Sequence, residues 1–365
     1  MVEPNTRSDG DTAVPAGASV ATAASDSAGE ALIIDTGIPG PGGPQAAKKI
    51  VGRSPGQLAW ARLKRDRVAR SSAVVLVIFI LIAVFADVIE WAVGGDVQRG
   101  YPDLLDHQGL PLGYFGGIDW STNNSSGVVH LLGVTPNEGT DLFLQLVFGV
   151  RTSLIVALSA TVIAAFVGVI IGTVAGYFGG WVDQALTTLT DYFLAFPFLL
   201  MAIAVIPVVN THLQDATGDV SPAKRIATII VVFALFAWMG AARLVRGQVI
   251  SLREREYVDA ARAAGARGFH IMFKQVLPNL WAPILVTFCL ALPATVTAEA
   301  ALSFLGIGVQ HPTPDWGWTI NDSIRYMRSD QFYLIIPGLS ILALVLAFNL
   351  FGDALRDALD PKSTR

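Results

Sequence analysis

The residues able to do chemistry in this chain are few, and their spacing excludes more than it offers. His107, His130, His212, His270 and His311 are scattered without the short intervals that let side chains converge on a metal. None of the six lysines follows a Gly-x-x-x-x-Gly phosphate loop, so ATP binding and hydrolysis by this chain are not expected. No Gly-x-Ser-x-Gly or His-Glu-x-x-His occurs, and no enzyme active site is read. Two acids stand out because they border apolar runs: Asp191 and Glu299. An acid at membrane depth is a candidate pathway or gate residue, suited to a cationic amine. The competing expectation is a helix-end acid at the interface, paired with a backbone amide or an arginine. Trp238, Met239, Phe193, Phe196 and Phe198 could line a pathway, although packing or lipid contact is the commoner role of such side chains.

The elements that must position these residues are apolar helices. Hydrophobic residues make up 53% of the 365 positions and charged ones 15%, with a mean hydropathy of +0.54. That balance excludes an ordinary soluble domain and indicates an integral membrane protein. The net charge of −4 decides little by itself. Cys289, the single cysteine, lies in an apolar run and rules out an intrachain disulfide. No basic segment followed by a short apolar core opens the chain, so the first span is expected to act as its own insertion signal.

The first 55 or so residues are rich in Ala, Gly, Ser, Pro, Thr and Asp, and bury too little apolar surface to offset their ordering entropy, so disorder is expected. Between Gln57 and Arg70, Leu58, Trp60 and Leu63 alternate with Arg62, Lys64, Arg65 and Arg67, which suits a helix on an anionic membrane surface. Six apolar stretches follow: Ser71–Ala86, Leu154–Val174, Tyr192–Val209, Ile226–Ala242, Leu280–Ala298 and Tyr333–Gly352. Each approaches the ~20 residues that cross a ~30 Å hydrocarbon core. With six alternating spans and both ends inside, nineteen of the twenty-five Lys and Arg residues fall on the cytoplasmic side, and Arg243, Arg246, Arg253 and Arg255 hug the fourth span. The outer segment from Val93 to Ser153, with Tyr101, Tyr114, Phe115 and Trp120, is expected to pack as a small external element. Gly168, Gly172 and Gly176, spaced by four, would let two helices approach closely.

One polar insert interrupts this apolar pattern: Tyr257-Val-Asp-Ala-Ala-Arg-Ala-Ala-Gly265, followed by Leu277-Pro278-Asn279. Leu252–Ala264 reads as one short helix, broken at Gly265 by a left-handed turn and at Gly268, with helix resuming over Phe269–Val276. Ala260, Ala261 and Ala264 are small enough to sit against a partner's groove, while Arg262 and Arg267 could meet its acids.

This insert resembles the cytoplasmic loop by which membrane subunits of binding-protein-dependent ABC importers dock on their ATPases, with Asp259 where the family usually has Glu. Further segments extend the likeness. They include Gly172-Thr-Val-Ala-Gly-Tyr-Phe-Gly-Gly180 with Asp183, Ala242-Arg-Leu-Val-Arg246 and Glu299-Ala-Ala-Leu-Ser-Phe-Leu-Gly-Ile-Gly308. Pro314-Asp-Trp-Gly317 and Phe348-Asn-Leu-Phe-Gly-Asp353 complete it. Together these resemble the second (C-type) permease of the dipeptide, oligopeptide and nickel ABC importers, over about His130 to Pro361. The resemblance implies an all-α polytopic fold, the six-helix transmembrane domain of a type I ABC importer with a cytoplasmic coupling loop.

It also implies an organisation: residues 1–56 a disordered cytoplasmic tail, 57–70 a basic interfacial helix, 71–95 the first transmembrane helix, 96–152 an extracytoplasmic loop. Residues 153–352 would form the permease core with its coupling loop at 243–279, and 353–365 a cytoplasmic tail. The implied docking residues are Asp259, Ala260, Ala261, Arg262, Gly265, Leu277 and Pro278. The implied partners are a second permease, two ABC ATPases, an extracytoplasmic solute-binding protein, a short peptide and the lipid bilayer, with no nucleic acid. ATP and magnesium would sit on the ATPases, leaving no cofactor on this chain.

The sequence departs from the family before the second span, where Gly133-Val-Thr135 and Gly139-Thr-Asp141 lack the usual arginine. Two other classes stay open: an ion-driven secondary transporter, which would want inverted repeats and intramembrane acids, and a membrane scaffold or sensor working through its long tail. Nickel or another small solute is the alternative cargo.

Overall fold

The computed structural model describes residues 55–112, 116–118, 127–215 and 218–360. Residues 1–54 of the expected tail, and Tyr114, Phe115 and Trp120 of the outer segment, lie outside them. Every regular element among the described residues is helical. Five helices are long and apolar enough to cross a membrane, or six if one sharply bent pair counts as a single span.

The chain enters through α1 (Pro55–Arg65) and α2 (Arg67–Val84). Asp66 separates them because its carboxylate accepts from the Val68 and Ala69 amides and so starts a new helix. Arg67 and Arg70, assigned from sequence to the interfacial helix, therefore open the first spanning helix instead. On α1, Leu58 and Trp60 remain exposed, and the Arg62 guanidinium donates to the Asp360 carbonyl at the far end of the chain. A short α3 (Ala86–Val93) ends at Gly94 in a left-handed conformation. The Asp87 carboxyl on α3 is held below the usual carboxylate range by its hydrogen bonds from Arg151.

The outer segment then folds back on itself through the isolated pairings Gly100–Thr140 and Val134–Asp141. Its centre is a buried His130 imidazole, 2.8 Å from Asp141 and edge-on to Tyr101. The second oxygen of Asp141 accepts from the Leu144 amide and caps the longest helix, α4 (Leu142–Phe178). This helix starts well before the expected Leu154. The sequence places Arg151 in its first turns, which shortens the uncharged run but not the helix, since Arg151 bonds the Ala83 carbonyl and Asp87.

The third stretch is not the single span expected over Tyr192–Val209. It divides into α5 (Gly180–Leu194) and α6 (Phe198–Leu213), bent by 82°. Pro197 has no amide hydrogen to donate and disfavours helical geometry at Phe196, so the helix stops there. After it come α7 (Pro222–Arg253), α8 (Glu256–Ala263), α9 (Gly268–Ile271) and α10 (Trp281–Phe304). Between α9 and α10 the backbone passes through a π turn, Met272–Val276, and a 3₁₀ turn, Leu277–Leu280. The expected single helix Leu252–Ala264 is thus two pieces, with α7 ending at Arg253. Finally α11 (Trp316–Ser323) and α12 (Phe332–Leu359) close the fold.

Two helix contacts hold the core. Leu76, Leu146, Val150, Leu154, Val296, Trp316, Leu344 and Phe348 pack α2, α4, α10, α11 and α12 together. On the other side α4 lies against α7 along its glycine row. A Cβ on Gly168, Gly172 or Gly176 would come within 2.7, 2.4 or 2.8 Å of backbone carbonyl oxygens of α7. Each helical glycine costs ~1 kcal/mol against alanine, so the row is retained for the close approach that it permits, as its spacing suggests.

Candidate functional site

The polar insert is built outward from its root. Arg253, the last residue of α7, donates to the Gly176 carbonyl at 3.0 Å, satisfying an acceptor left open at the end of α4. From there α8 turns one face inward. Val258 is fully buried among Val245, Val249, Ile271, Val276 and Leu280, with Ala261 and Leu277 packed against them.

At its end the Ala266 amide reaches the Ala261 carbonyl (3.0 Å) and the Gly265 amide the Arg262 carbonyl (2.9 Å). This is the paired bonding of a Schellman cap, and it requires the φ of +83° found at Gly265. The turn read from sequence at Gly265 is therefore present.

The seven expected docking residues divide into two groups. Asp259, Ala260, Arg262, Gly265 and Pro278 are exposed, whereas Ala261 and Leu277 are partly buried and anchor the loop. Asp259 and Arg262 pair with each other at 3.0 Å across one helical turn, with 64% and 47% of their side chains exposed. A surface pair of that kind is weak, so both charges stay accessible to a partner.

Sequence reasoning did not single out the aromatic residues beside them. Phe269 is 65% exposed and Phe273 56%, and Phe178 meets Phe269 edge-on. Their signal was the i, i+4 spacing of two phenylalanines, which puts both on one helix face. Together α8, α9 and the turns after them form a firmly rooted knob with an exposed small, charged and aromatic tip.

The two acids chosen from sequence part company. Asp191, on α5, lies 2.6 Å from Arg243 of α7, both more than half exposed. About two helical turns earlier on α5, Asp183 takes a two-pronged bond from Arg246. These pairs flank a cavity of about 240 Å³ between α4, α5 and α7, lined by Gly172, Thr187, Thr190 and Arg246 among others. The geometry of Asp191 is that of the arginine-paired alternative. Replacing it by asparagine is expected to leave transport within about twofold of wild type in an uptake assay, because exposed pairs contribute little.

Glu299 does not sit at an interface. It is completely buried within α10 and accepts from Ser153 of α4 (2.9 Å) and from Ser303 (3.1 Å). The sequence showed it near the end of an apolar run, but the segment 305–331 folds back over that end and covers it. Trp238 and Met239 are buried, and Phe193 packs on Phe236 and Trp238, while Phe196 is 53% exposed at the α5–α6 bend.

Among the described residues, no group of three or more His, Cys, Asp or Glu side chains is placed to hold a metal ion.

Comparison with known proteins follows the same lines. Residues 168–365 match the family described as binding-protein-dependent transport system inner membrane component. Residues 54–96 match the N-terminal TM domain of oligopeptide transport permease C. A dipeptide transport system permease protein of Alkalihalophilus pseudofirmus is 36% identical over 324 residues, covering 89% of this chain and 95% of that one. A glutathione transport system permease protein of Escherichia coli O6:K15:H31 is 33% identical over 314 residues, covering 85% and 91%. Among solved structures, the inward-facing methionine ABC transporter MetNI aligns at a TM-score of 0.47 and 18% identity, over 60% of this chain and 98% of that one.

Proposed function

The chain belongs to the family of binding-protein-dependent transport system inner membrane components, and from that premise we propose that it carries short peptides across the membrane together with a second permease. It is a multi-pass permease subunit of an ABC importer, a transport component and not the ATPase. Two ATPase subunits dock on the cytoplasmic side and supply ATP and magnesium chemistry, and a solute-binding protein delivers cargo outside. Both termini lie in the cytoplasm.

The observation that supports this reading most is the rooted knob of α8 and α9. Its inner face is bound into the bundle through Val258 and Arg253, and its outer face offers Asp259, Ala260, Arg262, Gly265 and Pro278. A loop so anchored moves with α4 and α7. Closure of the ATPase pair would then push on the knob and reorient the helices, instead of bending the loop. Ala261 and Leu277 act in docking by holding this shape. The names of the two permease relatives, for dipeptide and for glutathione, favour a peptide over nickel or another small solute.

The test is uptake of a labelled dipeptide and of glutathione by cells lacking this chain. Loss of peptide uptake, restored by the wild-type gene, is expected; unchanged uptake of both, with loss of nickel accumulation, would overturn the cargo assignment. Replacing both Phe269 and Phe273 by serine is expected to lower ATPase recovery with the purified chain by at least about tenfold, as exposed aromatic anchors commonly dominate an interface. Quantitative immunoblotting of the eluate measures it.

A further inference from the structure

Little apolar packing holds α5 to the bundle. Of its fifteen residues only Thr190 is buried, while Trp181, Leu189 and Tyr192 are 79%, 43% and 68% exposed. Lipid tails are as apolar as these side chains, so contact with the bilayer gives the helix no directional grip. On its inner side lies the cavity of about 240 Å³, with Ala175, Leu186 and Ala242 among its walls. Walls that face a void forgo the contacts that close packing would supply.

The two ends of α5 are attached differently. At the bend, the Phe193 ring stands 5.8 Å from that of Phe236 and 6.1 Å from that of Trp238, both on α7. At the start, Gly179 and Gly180 have φ of +67° and +56°, so a glycine link and not a continuous helix joins α5 to α4.

A charge contact fixes this starting end. Arg246 of α7 donates from Nε to Asp183 Oδ1 and from Nη2 to Oδ2, the latter at 2.7 Å. The Thr187 hydroxyl, one turn along α5, donates to Oδ1 at 3.3 Å and steadies the carboxylate. The Arg246 and Asp183 side chains are 32% and 19% exposed. A two-pronged guanidinium–carboxylate bond so shielded is strong and directional. The second ion pair between these helices, Asp191–Arg243, is more than half exposed and holds little.

Arg246 also stands close to the root of the knob. It precedes Arg253 by seven residues, so the two share one face of α7 about 10 Å apart. Arg253 ties that root to the Gly176 carbonyl of α4. A Cβ on Gly176 would lie 2.8 Å from the Arg246 carbonyl oxygen, so α4 and α7 are in backbone contact at this level. The two helices move there as one body, and Asp183 joins α5 to it.

We propose that the Asp183–Arg246 pair is the clasp that makes the starting end of α5 follow α7, so that displacement of the knob reaches the bent α5–α6 span. Both are positioning residues, and the proposal rests on the reading of the knob as the ATPase-docking element. Without the clasp, the glycine link lets the start of α5 lag while its far end stays on Phe236 and Trp238. ATP hydrolysis then continues with less transport per cycle.

The test uses the whole assembly in proteoliposomes: this chain with its second permease, ATPases and binding protein. Labelled dipeptide uptake and ATP hydrolysis are measured together, with and without peptide-loaded binding protein. Asp183→Asn keeps the size of the side chain and removes its charge. It should lower peptide transported per ATP by about tenfold, with stimulated hydrolysis within about twofold of wild type. Asp183→Arg alone and Arg246→Asp alone bring like charges together and should uncouple at least as strongly. Combining the two restores opposite charges and should recover about a third or more of the wild-type ratio.

An unchanged ratio in Asp183→Asn would overturn the proposal. Uptake and hydrolysis that fall together at a constant ratio, or failure of this variant to assemble, would mark a purely structural pair and equally overturn it. So would a combined exchange that assembles yet stays as uncoupled as either single variant. If the exchange variants do not reach the membrane, the Asp183→Asn ratio decides alone. Wild-type hydrolysis that ignores the loaded binding protein would defeat the transport reading itself, and the clasp with it, before any variant is compared.

Discussion

Deleting Asp259–Gly265 is expected to reduce substrate uptake to background, a loss of at least about a hundredfold, while the protein still reaches the membrane in normal amount. A drop of that size corresponds to about 2.7 kcal/mol or more of lost coupling. The deletion removes the exposed tip and the Schellman cap together, but it leaves the helices of the main core, α2, α4, α10, α11 and α12, untouched. Gly265→Asp is the gentler form of the same experiment. No neighbouring atom lies within 4 Å of the added Cβ, so the cost comes from the +83° backbone and from a new charge at the tip. Uptake should fall sharply with little loss of thermal stability. The comparison of uptake with membrane abundance, by immunoblot, separates the two effects. Near-normal uptake by the deletion variant would mean that the knob does not transmit force.

Gly172→Val should act in the opposite way, on the fold instead of the coupling. Its Cβ would stand 2.4 Å from the Ala242 carbonyl oxygen and 2.9 Å from the Val245 Cβ, both on α7. Backbone cannot swing aside as the tip of a side chain can, so the two helices must separate along their whole contact. The expected destabilisation is about 3 kcal/mol or more, at the upper end of overpacking costs. It would be seen as loss of the monodisperse peak and a much lower unfolding midpoint in detergent. Gly240→Ala on α7 is the matched control, since its Cβ meets nothing within 4 Å. That variant should behave as wild type. Equal tolerance of both substitutions would show that the α4–α7 contact is looser than its geometry indicates.

These contrasts explain what could be read from the residues and what could not. Spans were legible because an apolar run of sufficient length has few alternatives in a membrane, and the glycine row because small residues at intervals of four lie on one helix face. The left-handed break at Gly265 was legible because glycine, which adopts positive φ without steric cost, commonly ends a helical run such as the alanines before it. The bend at Pro197 was harder. The proline was visible, but prolines within spans are often accommodated, and Pro207 and Pro293 indeed sit inside continuous helices. Nothing local distinguishes the one that breaks.

Glu299 was misplaced for a different reason. Its environment is made by Ser153, 146 positions earlier, and by a chain segment that returns over the end of α10. Burial of this kind depends on tertiary folding and leaves no periodic trace. The division of the docking residues into exposed Asp259 and Arg262 and inward Ala261 and Leu277 likewise became apparent only once α8 was seen against Val249 and Ile271.

The most direct measurement is purification of the tagged chain from its native membrane in mild detergent, followed by ATP hydrolysis with and without peptide-loaded binding protein. Recovery of a second permease and two ATPase subunits, with hydrolysis stimulated by the loaded binding protein, is the expected result. Purification of the chain alone, with transport sustained by an ion gradient and indifferent to ATP depletion, would contradict it.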